Sequence, residues 1–290
     1  MPDPWKPDRV WSIDEVREVI RSQTELECKL VEPVGSGWDN AAFLVDGEWL
    51  FRFAQRRVAV PLLDREWNVL PRLAPRLPVP IPHPRWFGHV DEWTYLGYPR
   101  LSGHPASDLG IDEGMRFAMA RQLGQFLRAL HNQPTQDLPV EPDMLGRFDI
   151  AARHARGVAM LAECDSSIDV AALRHSLDQV DSMPAANVLS HGDLYSRHLL
   201  IDQGRLSGVI DWGDVCLAEP AHDLMLAFCF LPPESRHEFF AAYGPITPST
   251  ASRSRFRAIC HALHVHHFAR SIGDTLLLEE AITSFQLIAT

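Results

Sequence analysis

Ser190-His191-Gly192-Asp193-Leu194-Tyr195-Ser196-Arg197-His198, followed by Val209-Ile210-Asp211-Trp212-Gly213-Asp214, crowds carboxylates, imidazoles and glycines between apolar runs. Leu199-Leu200-Ile201 and Leu206 to Ile210 flank Asp202-Gln203-Gly204-Arg205, a turn-type sequence, so the span reads as a hairpin. With its centre near residue 204 or 205, His198 pairs approximately with Asp211, and facing residues have Cβ atoms roughly 4.5–5.5 Å apart. Asp193 hangs in the loop just before. An imidazole and a carboxylate converging beside another carboxylate suit a divalent cation. The oxygen-rich set favours magnesium held partly by substrate phosphates over zinc. Taken singly, Asp193 is a turn cap, His198 a satisfied core histidine and Asp211 a strand end. All three at this spacing read as a site.

Working outward, Ala42-Phe43-Leu44-Val45 and Glu48-Trp49-Leu50-Phe51-Arg52-Phe53 flank Asp46-Gly47, the favoured two-residue turn. That turn sets Val45 against Glu48 and Arg52 against Ala41, beside the end of the loop Gly35-Ser36-Gly37-Trp38-Asp39-Asn40. Ser12 with Glu15 three positions on is a capping-box pattern opening a helix over 12–23. Leu62, Leu63, Trp67 and Leu70 share one face of a short helix over 62–74, troubled by Pro71 and Pro75. Residues 28–34, 86–90 and 94–99 read as strands. Leu101-Ser102-Gly103-His104-Pro105 is the hinge where strand-rich sequence gives way to helix-rich sequence. Beyond it, the stripe from Met115 to Leu130 is core. Weaker helices fall at 143–163 and 168–180, and stronger ones at 219–231, 234–243, 251–270 and 275–288. His261, His264, His266 and His267 lie within one of these and read as a partly buried, solvated helix surface, not as a zinc site.

The chain of 290 residues exceeds the usual single-domain size, and its 46% hydrophobic and 22% charged residues are those of a globular protein. A net charge of -11 argues against nucleic acid as a partner. Five scattered cysteines without a CxxC pair indicate reduced thiols. The start shows no signal-peptide pattern, and the apolar run Leu224 to Leu231 is too short for a bilayer. A soluble cytoplasmic protein is the expectation. G-x-x-x-x-G-K-[ST], G-x-G-x-x-G and G-x-S-x-G are all absent from the sequence.

His191 to His198 resembles the catalytic loop of the aminoglycoside and macrolide phosphotransferase family, relatives of the protein kinases: H-x-D, four residues, then a metal ligand. Ile210-Asp211-Trp212-Gly213 resembles that family's counterpart of D-F-G, Gly35 to Asn40 its nucleotide loop, and Phe51-Arg52-Phe53 the strand with the basic nucleotide contact. Glu66 resembles the helix acid that pairs with that contact, and Tyr98 to Leu101 the interlobe hinge. The match runs from about residue 30 to 230.

The resemblance implies a bilobal, kinase-like α+β fold with a small β-rich lobe, 1–101, and a larger, mainly helical lobe, 102–290. It implies a site in the cleft between them that moves a phosphate from ATP or GTP, with Mg2+, to a small-molecule hydroxyl. Asp193 would orient the hydroxyl and take its proton. His198 and Asp211 would hold magnesium, and Arg52, fixed by Glu66, would contact the phosphates. Gly35, Ser36, Gly37, Tyr98 and Leu101 would complete the nucleotide site, with His191 and Asp223 as structural support for the catalytic loop. The chain departs from the pattern in having Arg52 for the usual lysine and His198 for the usual asparagine. An aminoglycoside-type acceptor is expected first, on the resemblance and the acids Asp214, Glu219 and Asp223, with a macrolide or metabolite alcohol next. A metal-dependent hydrolase built on His191, Asp193, His198 and Asp211 and a nucleotide-holding pseudokinase are the competing classes. Monomer and homodimer both fit.

Overall fold

The computed structural model describes residues 6–36, 39–164 and 168–290. One compact unit comprises Met1–Arg76, Pro80–Leu101 and Trp212–Asp214. Helix α1 (Ile13–Gln23) starts where Ser12 Oγ accepts from the Glu15 amide, and it buries Val16, Val19 and Ile20. Strands β1 (Val31–Ser36), β2 (Asn40–Val45), β3 (Trp49–Ala54), β4 (Trp86–Val90) and β5 (Trp93–Pro99) form an antiparallel sheet in the order β1-β2-β3-β5-β4. Aromatic side chains fill its core: Phe53 stacks on Tyr95 at 5.2 Å between centroids and meets Trp11 at 4.8 Å. Helix α2 (Val60–Leu73) buries Leu63, Glu66, Val69, Leu70 and Leu73, with Leu62 and Trp67 only partly covered. Pro71 falls in the last turn, where one missing N–H does not stop the helix.

The β2–β3 register differs by one residue from the sequence expectation. Asp46 and Gly47 are both left-handed, with φ of 52° and 73°, and the Glu48 amide donates to the Val45 carbonyl at 3.1 Å. The turn therefore takes three residues and not two. Val45 pairs with Trp49, and Arg52 with Ala42, not Ala41. Asp46 is kept in this geometry by a second job, since its carboxylate accepts from the Leu30 amide at 2.7 Å.

A second compact unit comprises Leu77–Val79, Ser102–Asp211 and Val215–Thr290. It holds β6 (His104–Pro105), α3 (Glu113–His131), α4 (Ile150–Leu161), α5 (Val170–Asp178), β7 (Val188–Ser190), β8 (Leu199–Asp202), β9 (Arg205–Val209) and β10 (Cys216–Ala218). Then come α6 (Ala221–Leu224), α7 (Leu226–Cys229), α8 (Arg236–Tyr243), α9 (Pro248–Ile272) and α10 (Thr275–Ile288). Two small sheets, β10-β7 and β6-β8-β9, carry the loops of interest. Helix α9 packs against α4, α5, α6, α7 and α10 and is the spine of the unit. The expected helix over 143–163 is confined to α4. Its leading residues are a loop in which the Asp143 carboxylate accepts from the Leu145 and Arg147 amides, an arrangement that competes with helix. Among the described residues no helix is long and apolar enough to cross a membrane.

Candidate active site

The loop after β7 turns at Gly192, whose φ of 88° is costly for any residue with a Cβ. Asp223, on α6, is fully buried and holds that turn: its carboxylate accepts from the His191 amide at 2.9 Å and from the Gly192 amide at 3.3 Å. His131, at the end of α3, reaches the same carboxylate with Nε2 at 3.1 Å, and its Nδ1 lies 2.8 Å from the Tyr243 hydroxyl. A carboxylate only accepts, so His131 Nε2 carries the hydrogen and Nδ1 accepts from tyrosine. Burial pushes the Asp223 pKa up, but the His131 bond and the neighbouring imidazoles outweigh it and hold the acid below the usual carboxylate range.

His191 ties the loop to the chain leading out of β9. Its Nε2 donates to the Ile210 carbonyl at 3.0 Å, and its Nδ1 accepts from the Asp193 amide at 3.3 Å. Burial lowers its pKa, which favours the neutral ring. Both nitrogens are therefore engaged by backbone.

The β8–β9 hairpin has a two-residue turn, Gln203-Gly204, with φ of 49° and 73°, and a bulge between Leu200 and Ile201. In consequence His198 lies beside Ile210, whose amide donates to the His198 carbonyl at 3.0 Å, and not opposite Asp211 as the sequence count had it. Asp211 has a left-handed φ of 65°, and its Oδ2 stands 3.3 Å from His198 Nε2. His198 Nδ1 donates to the Asp193 carbonyl at 2.7 Å. Burial pulls the His198 pKa down, yet the Asp211 carboxylate, then Asp193, raise it above its ordinary value. Two acceptors thus face the two nitrogens of one ring. Nε2 must present either a proton or a cation to Asp211.

That donor pair fits a magnesium ion completed by substrate phosphates and water. It does not fit a closed zinc cage, since among the described residues no group of three or more His, Cys, Asp or Glu gathers to hold a metal. The Asp193 carboxylate is 30% exposed, with Arg147 Nη2 at 4.0 Å. Burial raises its pKa, but His198, Arg147, His261 and Arg257 together lower it, so the group is ionised.

In the first unit, Arg52 Nη1 sits 2.7 and 2.8 Å from the two Glu66 oxygens, with the glutamate fully buried. Removing either partner would leave the other charge buried. Tyr98 is buried on β5, and Leu101 follows it, partly buried. Gly35 and Ser36 end β1, and Gly37 lies outside the described residues. Trp212 is buried in this unit, and the Gly213 carbonyl accepts from Arg65 Nη1 at 2.9 Å. A Cβ on Gly213 would stand 3.2 Å from the Leu62 Cβ, so the glycine lets the two segments approach closely.

Two of the acids expected to meet a cationic acceptor have other work. Glu219 is buried in a two-pronged pair with Arg253, whose Nε lies 2.5 Å from Oε2. Asp223 is spent on the loop amides and His131. Asp214 is partly buried within Trp212–Asp214.

A sequence profile described as the phosphotransferase enzyme family, APH, matches residues 30–258. The chain belongs to that family. It is 26% identical over 203 residues to an uncharacterized protein, YcbJ, of Bacillus subtilis (strain 168), covering 61% of each chain. It is 31% identical over 159 residues to an aminoglycoside 3'-phosphotransferase of Streptomyces fradiae, covering 51% of this chain and 58% of that one. The chain spans about three fifths of the length of these curated relatives. The GDP complex of aminoglycoside 2'-phosphotransferase-IIIa superposes with a TM-score of 0.74 at 21% identity over 96% of this chain and 99% of that one. The macrolide 2'-phosphotransferase MphH of Brachybacterium faecium superposes with a TM-score of 0.65 at 24% identity over 94% and 98%. At these identities the likeness concerns the fold, which is the kinase-like α+β fold.

Within this phosphotransferase fold, sequence reasoning passed over Arg147, His131 and Arg257. Arg147 stands beside Asp193 while its loop is tied to Asp143 at 3.4 Å. No spacing signals His131, because its partner Asp223 is 92 residues away. The histidines of α9 are also more deeply placed than a solvated surface. His261 and His266 are buried, while His264 and His267 turn Nδ1 back onto the carbonyls of Cys260 and Leu263 at 2.6 and 2.9 Å.

Proposed function

We propose that this protein transfers the γ-phosphoryl group of a nucleoside triphosphate to a hydroxyl of a small molecule. The observation that carries the reading is Asp193, an ionised and partly exposed carboxylate on a loop held from below by Asp223 and His191, with the His198–Asp211 pair beside it. Phosphoryl transfer asks a protein mainly for positioning and charge neutralisation, because the transferred group passes through a loose transition state. A rigidly held carboxylate with a depressed pKa is a poor early base and a good late one. Asp193 accordingly accepts the hydrogen bond of the acceptor hydroxyl, aims its oxygen, and takes the proton as the new bond forms.

His198 Nε2 and Asp211 would hold magnesium, which when bound neutralises and orients the nucleotide phosphates. The Nδ1–H bond from His198 to the Asp193 carbonyl fixes the tautomer that points Nε2 at the ion. Arg52, held by Glu66, would contact the phosphates, and Gly35, Ser36, Tyr98 and Leu101 would belong to the same nucleotide site for ATP or GTP. Against the hydrolase reading, His191 has both nitrogens tied to backbone. The relatives named as aminoglycoside phosphotransferases suggest an antibiotic acceptor; the engaged state of Glu219 and Asp223 weakens that suggestion for this chain. Five free cysteines suit a reducing, cytoplasmic setting.

The test is magnesium-dependent nucleotide consumption by the purified protein against aminoglycosides, macrolides, sugars, hydroxy acids and amino alcohols. Acceptor-dependent release of nucleoside diphosphate, with a phosphorylated product, is the expected result. Nucleotide binding without transfer to any acceptor would count for a pseudokinase instead.

A further inference from the structure

Three side chains form a buried stripe along α9, one turn apart: Arg253, Arg257 and His261. Arg253 is saturated. It takes both Glu219 oxygens, donates Nη1 to the Asp181 carbonyl at 2.7 Å, and lies 4.9 Å over the Phe148 ring. His261 marks where the stripe leads, since its ring meets Tyr195 edge-on at 4.7 Å, two residues past Asp193 in the loop. Between them, Arg257 is only 6% exposed, and among the described residues nothing pairs with it. Its Nε is sealed from solvent without an acceptor.

An unpaired guanidinium in a protein interior is costly, and buried charges are ordinarily paired. Of the groups acting on Arg257, Arg147 and Arg153 oppose its charge, while Asp193 and Cys260 favour it without a hydrogen bond or ion pair to it. Burial first, then Arg147, pulls its pKa down to about 10, so it remains a cation at neutral pH. Other acids of this unit have their own partners. Asp143 is taken by Arg147 and two loop amides, Glu219 by Arg253, Asp223 by His131 and two amides, and Asp274 by Arg197 at 2.8 Å. A chain with a net charge of -11 has thus left a buried cation without a hydrogen-bonded counter-ion, within electrostatic reach of the carboxylate that would meet the acceptor.

We infer that the acceptor is a hydroxyl compound bearing an anionic group, a carboxylate or a phosphate, and that Arg257 binds that group. The inference rests on the reading of Asp193 as the residue facing the acceptor hydroxyl. A guanidinium takes either anion through two parallel N–H bonds, and it does so best where water is excluded. A polycationic acceptor would instead bring its ammonium groups toward Arg147 and Arg257, with Asp143, Glu219 and Asp223 already engaged.

Glycerol, glycerate and glycerol 3-phosphate share a hydroxyl-bearing skeleton and differ in the anionic group, so they are the probes, with kanamycin as the polycation. Binding is measured by calorimetry on the whole protein saturated with magnesium and a nonhydrolysable nucleotide, which occupies the phosphate contacts of the donor. One of the two anions is expected to bind at least about tenfold tighter than glycerol, and which one tells carboxylate from phosphate. R257M should abolish the preference and R257K retain part of it. R257M should also melt no lower than the wild type, because it removes an unpaired buried cation. Anions bound no tighter than glycerol, an unchanged preference in R257M, or a fall of several degrees in its melting temperature would each overturn the proposal. Turnover separates the two readings. Kanamycin phosphorylated without any anion preference leaves the transferase and removes the anion site; an Arg257-dependent preference with no phosphate transferred to any acceptor does the reverse.

Discussion

The loop after β7 and the middle of α9 lie in the same unit and treat their polar groups in opposite ways. From Ser190 to His198 nearly every buried donor and acceptor is spoken for: the Ser190 hydroxyl faces His222 Nδ1 at 3.2 Å, both His191 nitrogens meet backbone, and Asp223 closes the turn from below. On α9, Arg257 Nε and His261 Nε2 are buried with no hydrogen-bond partner among the described residues. A loop that performs a fixed reaction gains by being held before the substrate arrives. A surface that receives a particular substrate must keep groups in reserve for it. On the proposed function, the satisfied loop would carry the chemistry and the unsatisfied helix the choice of acceptor.

The largest effects are expected at the loop. D211A removes the carboxylate from the His198–Asp211 pair and should cut turnover about 10²–10³-fold, measured at saturating nucleotide across a magnesium titration. An effect below tenfold would show that Asp211 is not needed to hold the ion. D223A strands the His131 donor and two loop amides, and should destabilise the fold by about 3–5 kcal/mol in urea unfolding. A loss under 1 kcal/mol would mean the loop supports itself. H198N is milder. An asparagine can donate to the Asp193 carbonyl and present oxygen to the ion, so turnover should stay within about tenfold of wild type. An inactive but folded H198N would show that the imidazole is essential.

The helix side sharpens the contrast through pH. On α9, burial lowers the His261 pKa to about 3 and that of His264 to about 4, and it lowers that of His222, on α6, to about 3 as well. The unfolded chain binds these protons near pH 6.5, whereas the folded chain does so only below pH 4. The stabilisation is therefore complete above about pH 6.5 and is lost as pH falls toward 4. Each histidine contributes a slope of about 1.4 kcal/mol per pH unit in that window. The melting temperature should drop steeply between pH 6.5 and 5, and a flat profile there would mean that these rings are hydrated and protonated.

Much of this was legible in the sequence, and the failures have definite causes. The Asp46-Gly47 turn with its flanking apolar runs pointed to the strands of the first unit, and the H-x-D loop with Ile-Asp-Trp-Gly pointed to the family. Register was misjudged twice by a single residue. At Asp46 the turn is lengthened by a carboxylate that serves Leu30. In the β8–β9 hairpin the turn at Gln203-Gly204 is tighter than the sequence count had it, and the bulge beside Leu200 restores only one of the two residues, leaving His198 beside Ile210. The longer turn and the bulge depend on contacts that turn propensities do not contain. The depth of His261 and the solitude of Arg257 are further from reach. An arginine on a helix reads as solvated until the packing of α9 against its neighbours shows that water and carboxylates are both kept from its Nε.

On the proposed function Asp193 carries the transfer step and not the binding of nucleotide. The direct measurement is acceptor-dependent nucleotide consumption by D193N, run beside calorimetric binding of a nonhydrolysable nucleotide. Turnover should fall by about 10²–10⁴-fold with nucleotide affinity unchanged within a factor of two. Near-full turnover in D193N would contradict the account.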